Sequence, residues 1–182
     1  MRTYKANLSK SSFMQLAKDL NAYADTLETK CKRFVALLAE KGVLVAKTTA
    51  TGKYGSYVLF QYKVEPQKDG CTAIMYGTNT GLVTETWMIN SAGDTKSVDV
   101  SPILMLEFGS GFKAVNPYGL SGVGQGTFPE QTHAFDPKGW SYRTVDGEWH
   151  HSTGYQPSSP MYTAAMAMYV AIATTAKQVF GE

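Results

Sequence analysis

Apolar residues recur at intervals of three and four from Phe13 to Leu38, through Leu16, Ala17, Leu20, Tyr23, Ala24, Leu27, Cys31, Phe34 and Val35. A strand would scatter these positions over both its faces, whereas a helix gathers them on one. The run predicts a long amphipathic helix capped by Ser11 or Ser12, with Lys18, Asp19, Asp25, Lys32, Arg33 and Glu40 largely on the other faces, as a helix lying on a sheet requires. Val45 and Ala46 carry the stripe past Gly42 and place its end near residue 48. A bend or break is expected at Gly42, because an interior glycine weakens a helix by about 1 kcal/mol relative to alanine. A helix of about 35 residues would span roughly 50 Å.

The period changes after the turn-forming stretch 48–56. Val58, Phe60, Tyr62 and Val64 share one face of a strand, with Gln61 and Lys63 on the other. Residues 71–78, 82–90 and 96–100 are three further strand candidates, joined by turns at 67–70 and Ala92-Gly93-Asp94. Four strands with short connections imply one antiparallel sheet, since parallel pairing needs long crossovers. Ser101 and Pro102 then read as the cap and first position of a short helix that Gly109 ends, with an edge strand as the competing reading. Residues 109–137 hold six glycines, three prolines and no sustained period, and a loop that long is usually functional or mobile. Asp146-Gly147 between Trp140–Val145 and Glu148–Ser152 is a strong hairpin signal. Pro160 opens a last helix, whose stripe is Met161, Ala165, Met168, Ile172, Ala176 and Val179.

The expected fold is therefore α+β and a single domain over 1–182. It has a long N-terminal helix, an antiparallel sheet of about four strands, an extended loop and hairpin arm over 109–160, and a C-terminal helix packed beside the first on the sheet. A hydrophobic fraction of 43% and a charged fraction of 18% lie outside the disordered range. A net charge of +2 is too small to point to specific nucleic-acid binding. Its distribution is uneven: residues 1–48 carry nine Lys or Arg against four acids, so the rest of the chain is net negative. A solvated basic helix face would explain this, and so would a positive end of one subunit meeting a negative surface of the next. Cys31 and Cys71 read as buried free thiols of a reducing compartment. With neither a secretory leader nor a membrane span in the sequence, the expectation is assembly in the cytoplasm.

Chemical apparatus is hard to find. His150 and His151 are adjacent and would point to opposite faces of a strand, His133 stands in a loop, and no ligand set completes a metal site. The glycine loop 122–126 lacks the strand before it and the helix after it that phosphate binding needs. Glu107, Asp136, Asp146, Glu148 and His151 could supply an acid and base pair, and Ser110 a nucleophile, but their spacing carries no signature. No catalytic, cofactor or metal residues are assigned, and the chain is read as a non-enzyme. Trp140, Tyr142, Trp149, Tyr155 and Tyr162 cluster about one hairpin, where they could meet a partner or pack the hairpin on the parent sheet.

Glu107-Phe108-Gly109-Ser110-Gly111, the glycine-rich loop, Gly139-Trp140-Ser141-Tyr142, His151, Gly154 and Pro160-Met161-Tyr162 follow one another in this order before the closing helix. In these motifs, over roughly 101–168, the chain resembles the neck and tail-completion family of tailed bacteriophages. One element departs from that family: Thr49-Ala50-Thr51-Gly52 stands where a Pro-x-Asp-Thr-Gly element is common. The resemblance implies a virion structural protein, assembled in the bacterial cytoplasm into a six- or twelve-fold homo-oligomeric ring that joins DNA-filled heads to tails. Head-completion or adaptor proteins and the tail tube or terminator would be its partners, without membrane or cofactor. Glu107, Phe108, Gly109, Gly111, Trp140, Tyr142, His151, Gly154, Pro160 and Met161 are the motif or subunit-interface candidates. A tail terminator capping the tube is the alternative within this class. A small hydrolase or metal enzyme, or a ligand-binding module using the aromatic hairpin, is the alternative outside it.

Overall fold

The computed structural model describes residues 9–68, 70–81, 83–88, 95–119, 138–143 and 147–181. It is an α+β structure with a long first helix, α1 (Lys10–Thr49), and a closing helix, α3 (Pro160–Phe180). Between them come the strands β1 (Val58–Gln67), β2 (Gly70–Asn79), β3 (Val83–Met88) and β4 (Thr95–Val100), the short helix α2 (Pro102–Phe108), and the strands β5 (Trp140–Arg143) and β6 (Trp149–Ser152).

α1 begins two residues ahead of expectation. Ser9 is its cap, and its hydroxyl accepts from the Ser12 amide at 3.2 Å. The helix also runs without a break through Gly42. Gly42 is buried where α1 lies between α3 and β2, and a Cβ there would come within 2.6 Å of the Met168 sulfur and 2.9 Å of the Met75 sulfur. The glycine is thus a place of close approach, and tertiary packing overrides its weak helix propensity. At 1.5 Å per residue the 40 residues span about 60 Å.

Among the described residues, the expected sheet of four strands is two separate antiparallel pairs, β1 with β2 and β3 with β4, and the expected hairpin forms a third pair, β5 with β6. The first ladder runs from Val58↔Asn79 to Gln67↔Gly70, and the Thr80 amide extends it by donating to the Tyr57 carbonyl at 2.8 Å. The end of β2 is then engaged with α2 rather than with β3. The Asn79 side chain donates to Ser101 Oγ at 3.1 Å and accepts from the Ile103 amide at 3.0 Å. Short connections fixed the antiparallel sense correctly, but they did not require neighbouring hairpins to share hydrogen bonds. The turn at 92–94 lies outside the described residues.

Two small clusters form the core. Ala46, Phe60 and Ala164 join α1, β1 and α3, with Phe60 lying over its ladder partner Gly77. Tyr54, Val100, Met105 and Leu106 join the end of α1, β4 and α2, and Tyr155 packs edge-on against Tyr54 with ring centroids 4.9 Å apart. Cys31 and Cys71 are free and half-buried rather than fully buried.

Candidate functional site

The motif residues from two distant stretches meet at the start of α3. Pro160 holds the first helical position, where its missing amide hydrogen costs nothing. The next two amides, of Met161 and Tyr162, donate to the two oxygens of the Glu107 carboxylate at 2.8 and 2.9 Å. Tyr118 adds its hydroxyl to the same carboxylate at 2.6 Å. Glu107 is only 4% exposed, and a buried carboxylate is tolerable only when donors replace its water. Here three donors converge on it, and the positive end of the helix dipole favours its charge.

The main chain is tied at the same place. Leu106 O accepts from both Ser158 N and Ser159 N at 2.9 Å, and Ser159 Oγ donates to Glu107 O at 2.9 Å. Every amide of the first turn of α3 therefore has a partner outside the helix or in its own ladder. Ser159 takes a left-handed conformation, φ 46°, to reach this arrangement. Further along, Ser110 N donates to Tyr155 O at 3.0 Å and Tyr155 N donates to Ser110 Oγ at 3.1 Å. The two strands of this knot approach so closely that Gly109, at φ 69°, faces Tyr155 O and Pro157, while Gly154, at φ 106°, faces Ser110 O. Any side chain at either glycine would overlap those atoms.

Ser101 and Pro160 stand where helix starts were expected, but the side chains that cap those helices come from far along the chain. Ser101 occupies the cap position of α2 and makes no side-chain cap bond; Asn79 supplies it from the end of β2. The acceptor for α3 comes from Glu107, 54 residues away from Met161. Tyr118, Asn79 and Ser159 belong to the site although no pattern in the sequence singled them out. Burial foremost, and then the hydrogen bond to Glu107, raise the Tyr118 phenol above its usual range. The ring of Tyr118 lies between Phe108 and Tyr162, at centroid distances of 5.9 and 5.6 Å.

The remaining candidates are the hairpin residues Trp140, Tyr142 and His151, and Gly111, whose Cα lies close to Gly154 in the knot. Trp140 and Tyr142 stand on β5 opposite Ser152 and His150, with only their backbones described. His151 is exposed and its Nδ1 lies 3.2 Å from Ser141 Oγ. Trp149 is 63% exposed. Gly111 is buried in the turn after the Glu-Phe-Gly element. His133, Asp136, Asp146 and the glycine loop 122–126 lie outside the described residues. Among the described residues no group of three or more His, Cys, Asp or Glu is placed to hold a metal ion, and no helix is long and apolar enough to cross a membrane.

Two apolar helix faces lie bare. On α1, Phe13, Leu20, Tyr23 and Leu27 are each more than two-fifths exposed, and no residue before Ala39 is fully buried. On α3, Met166, Tyr169, Val170 and Ile172 are exposed, with Tyr169 and Val170 above 70%. No family model, curated protein or solved structure matches this chain.

Proposed function

We propose that the chain is a structural subunit of the neck or tail-completion region of a tailed phage, working by assembling into a homo-oligomeric ring that helps join DNA-filled heads to tails. The observation that carries this reading is unburied apolar surface. Phe13, Leu20, Tyr23 and Leu27 on α1 and Met166, Tyr169, Val170 and Ile172 on α3 are all exposed. Contiguous exposed apolar surface of this kind marks protein contact sites.

The motif residues support the reading differently. Glu107, Gly109, Gly154, Pro160 and Met161 build the scaffold from which α3 projects, so the resemblance rests on residues that shape the subunit. Contact residues are sought on the helix faces and on the β5–β6 hairpin. The paired strands also leave open edges, to which a neighbour's strand can be added.

Electron microscopy of particles made when this gene is silenced in the producing phage tests the role. Filled heads with detached tails are the expected result. Tails of abnormal length would replace the connector with a terminator, and intact infectious virions would overturn both.

A further inference from the structure

We infer that Cys31 and Cys71 are a redox pair, which a small oxidised disulfide joins into an intrachain bridge clamping the tip of the β1–β2 hairpin to α1. The bridge stands apart from the head-joining reading, and either can fail without the other.

The two cysteines come from distant parts of the sequence, and the packing of the hairpin on α1 brings them level. β1 runs back along the helix: Phe60 packs with Ala46, and the Tyr62 hydroxyl donates to Glu40 Oε1 at 2.8 Å. In the ladder Tyr62 is paired with Met75 and Pro66 with Cys71. Met75 marks the level of Gly42, where a Cβ would lie 2.9 Å from its sulfur. From Met75 to Cys71 the strand advances about 13 Å at 3.3 Å per residue. From Gly42 back to Cys31 the helix covers about 16 Å, and three turns of about 3.6 residues return it to almost the same face. The two paths therefore end within about 4 Å of one level.

Both residues also lie on the sides that face each other. Along β2, Thr72, Ile74 and Tyr76 are exposed, while Cys71, Ala73 and Met75 are half-buried on the side that packs on α1. Cys31 continues the line of Gly42, Leu38 and Val35, the packed line of the helix. A separate observation agrees. The Lys32 ammonium, next to Cys31 in the chain, is raised above its usual range chiefly by its hydrogen bond to Glu28 and by the charge of that carboxylate, and the Cys71 sulfur acts in the same direction. Such an effect places Cys71 beside the turn of α1 that carries Cys31.

Neither thiol is fully buried. Cys71 also borders an open hollow with Gln67, Lys68, Gly70 and Thr72, which admits a small disulfide such as oxidised glutathione. The Cys71 thiolate attacks one glutathione sulfur and expels a glutathione thiolate; the Cys31 thiolate then attacks the Cys71 sulfur of the mixed disulfide and expels the second. Two protein thiols are oxidised to one disulfide, one small disulfide is reduced to two thiols, and the two cysteine protons pass to the released thiolates. A reducing compartment keeps the pair open and an oxidising one closes it. Toward the N-terminus from Cys31 the stripe residues Leu27, Tyr23 and Leu20 are exposed, so the bridge falls where α1 leaves the body of the subunit.

A bridge requires Cα atoms about 4.4–6.8 Å apart, so its formation in the folded chain tests the placement. The full chain is reduced, freed of reductant, equilibrated with oxidised and reduced glutathione in set ratios, both folded and in denaturant, and quenched with acid. Intact mass and peptide mapping should show a Cys31–Cys71 disulfide within one chain, with a closing constant at least about tenfold larger folded than denatured. Cys31→Ser and Cys71→Ser should each stop at one glutathione adduct. Amide hydrogen exchange about Gln67 and Gly70 should slow on oxidation of the wild-type chain. Folded chains that stop at adducts, or that bridge only from chain to chain, overturn the inference. So does a bridge no more stable in the folded chain than in denaturant, and so does unchanged exchange at the hairpin tip.

Discussion

The knot around Glu107 and the exposed first half of α1 (residues 10–30), here called its arm, reverse the usual placement of polar and apolar groups. At the knot a carboxylate is enclosed and every oxygen is engaged; along the arm a row of large hydrophobic side chains faces water. Buried charge demands exact partners within the chain, so the knot is complete in one copy. Hydrophobic surface is indifferent to direction and waits for whatever covers it. The contrast teaches that polar contacts fix the path of the chain at its centre, while the apolar faces at its periphery are left unconstrained by the fold.

Removing the carboxylate is the sharpest way to break that division. Glu107→Ala strips the acceptor from two α3 amides and the Tyr118 hydroxyl, and an orphaned buried donor costs about 1–3 kcal/mol. A loss of about 3 kcal/mol or more is expected in denaturant unfolding, with Glu107→Gln intermediate because it keeps one acceptor oxygen. A loss below about 1 kcal/mol would show that the knot does not hold the subunit. Gly109→Ala should follow at about 2 kcal/mol or more, since strained backbone alone costs about 1–3 kcal/mol and the added methyl meets main-chain atoms.

Alkaline pH probes the same place more gently. The phenols of Tyr118 and Tyr155 are both raised, foremost by burial, above the ordinary tyrosine value of 10.0. Their contribution to stability is complete below pH 10 and falls as pH rises beyond it, because the unfolded phenols ionise first. Thermal melts should therefore drop in midpoint above pH 10, and Tyr118→Phe should flatten that drop while costing about 1 kcal/mol at neutral pH through the lost hydrogen bond. An unchanged alkaline slope in the variant would move the titration elsewhere.

The smallest effects belong to sites where nothing rigid stands in the way. Leu20→Glu should leave stability within about 0.5 kcal/mol, as for other exposed sites, which denaturant unfolding would check. Gly42→Ala should change stability by no more than about 1 kcal/mol, because two flexible methionine sulfurs can swing aside and alanine restores helix propensity. If Gly42→Ala proved as harmful as Gly109→Ala, the helix packing would be as unyielding as the knot.

The elements best announced by sequence were those carried by local period. The stripe from Phe13 to Ala46, the alternation through Val58 to Val64 and the Asp-Gly hairpin each express geometry within a few residues. What escaped was remote. Nothing near Met161 says that its amide will find Glu107, and nothing near Ser101 says that Asn79 will take over its capping role. Gly109 could be read as a helix stop, but its opposition to Tyr155 and Pro157 depends on a chain crossing that local spacing does not encode. The division of the strands into pairs was hidden for the same reason, since hairpin spacing fixes each pair and leaves the joints between pairs open.

The carboxylate cap also sets the order in which the chain can become ordered. During synthesis Glu107 leaves the ribosome well before Met161 and Tyr162, and until they arrive only the Tyr118 hydroxyl of its three donors can compensate its burial. Closing so long a loop is an entropic cost incurred before the contact can repay it. The first turn of α3 should therefore consolidate late, and slowly beside helices built from local contacts. Its outer face then becomes a defined surface only after the rest of the chain is in place, so the largest exposed apolar patch on α3 is the last to take shape.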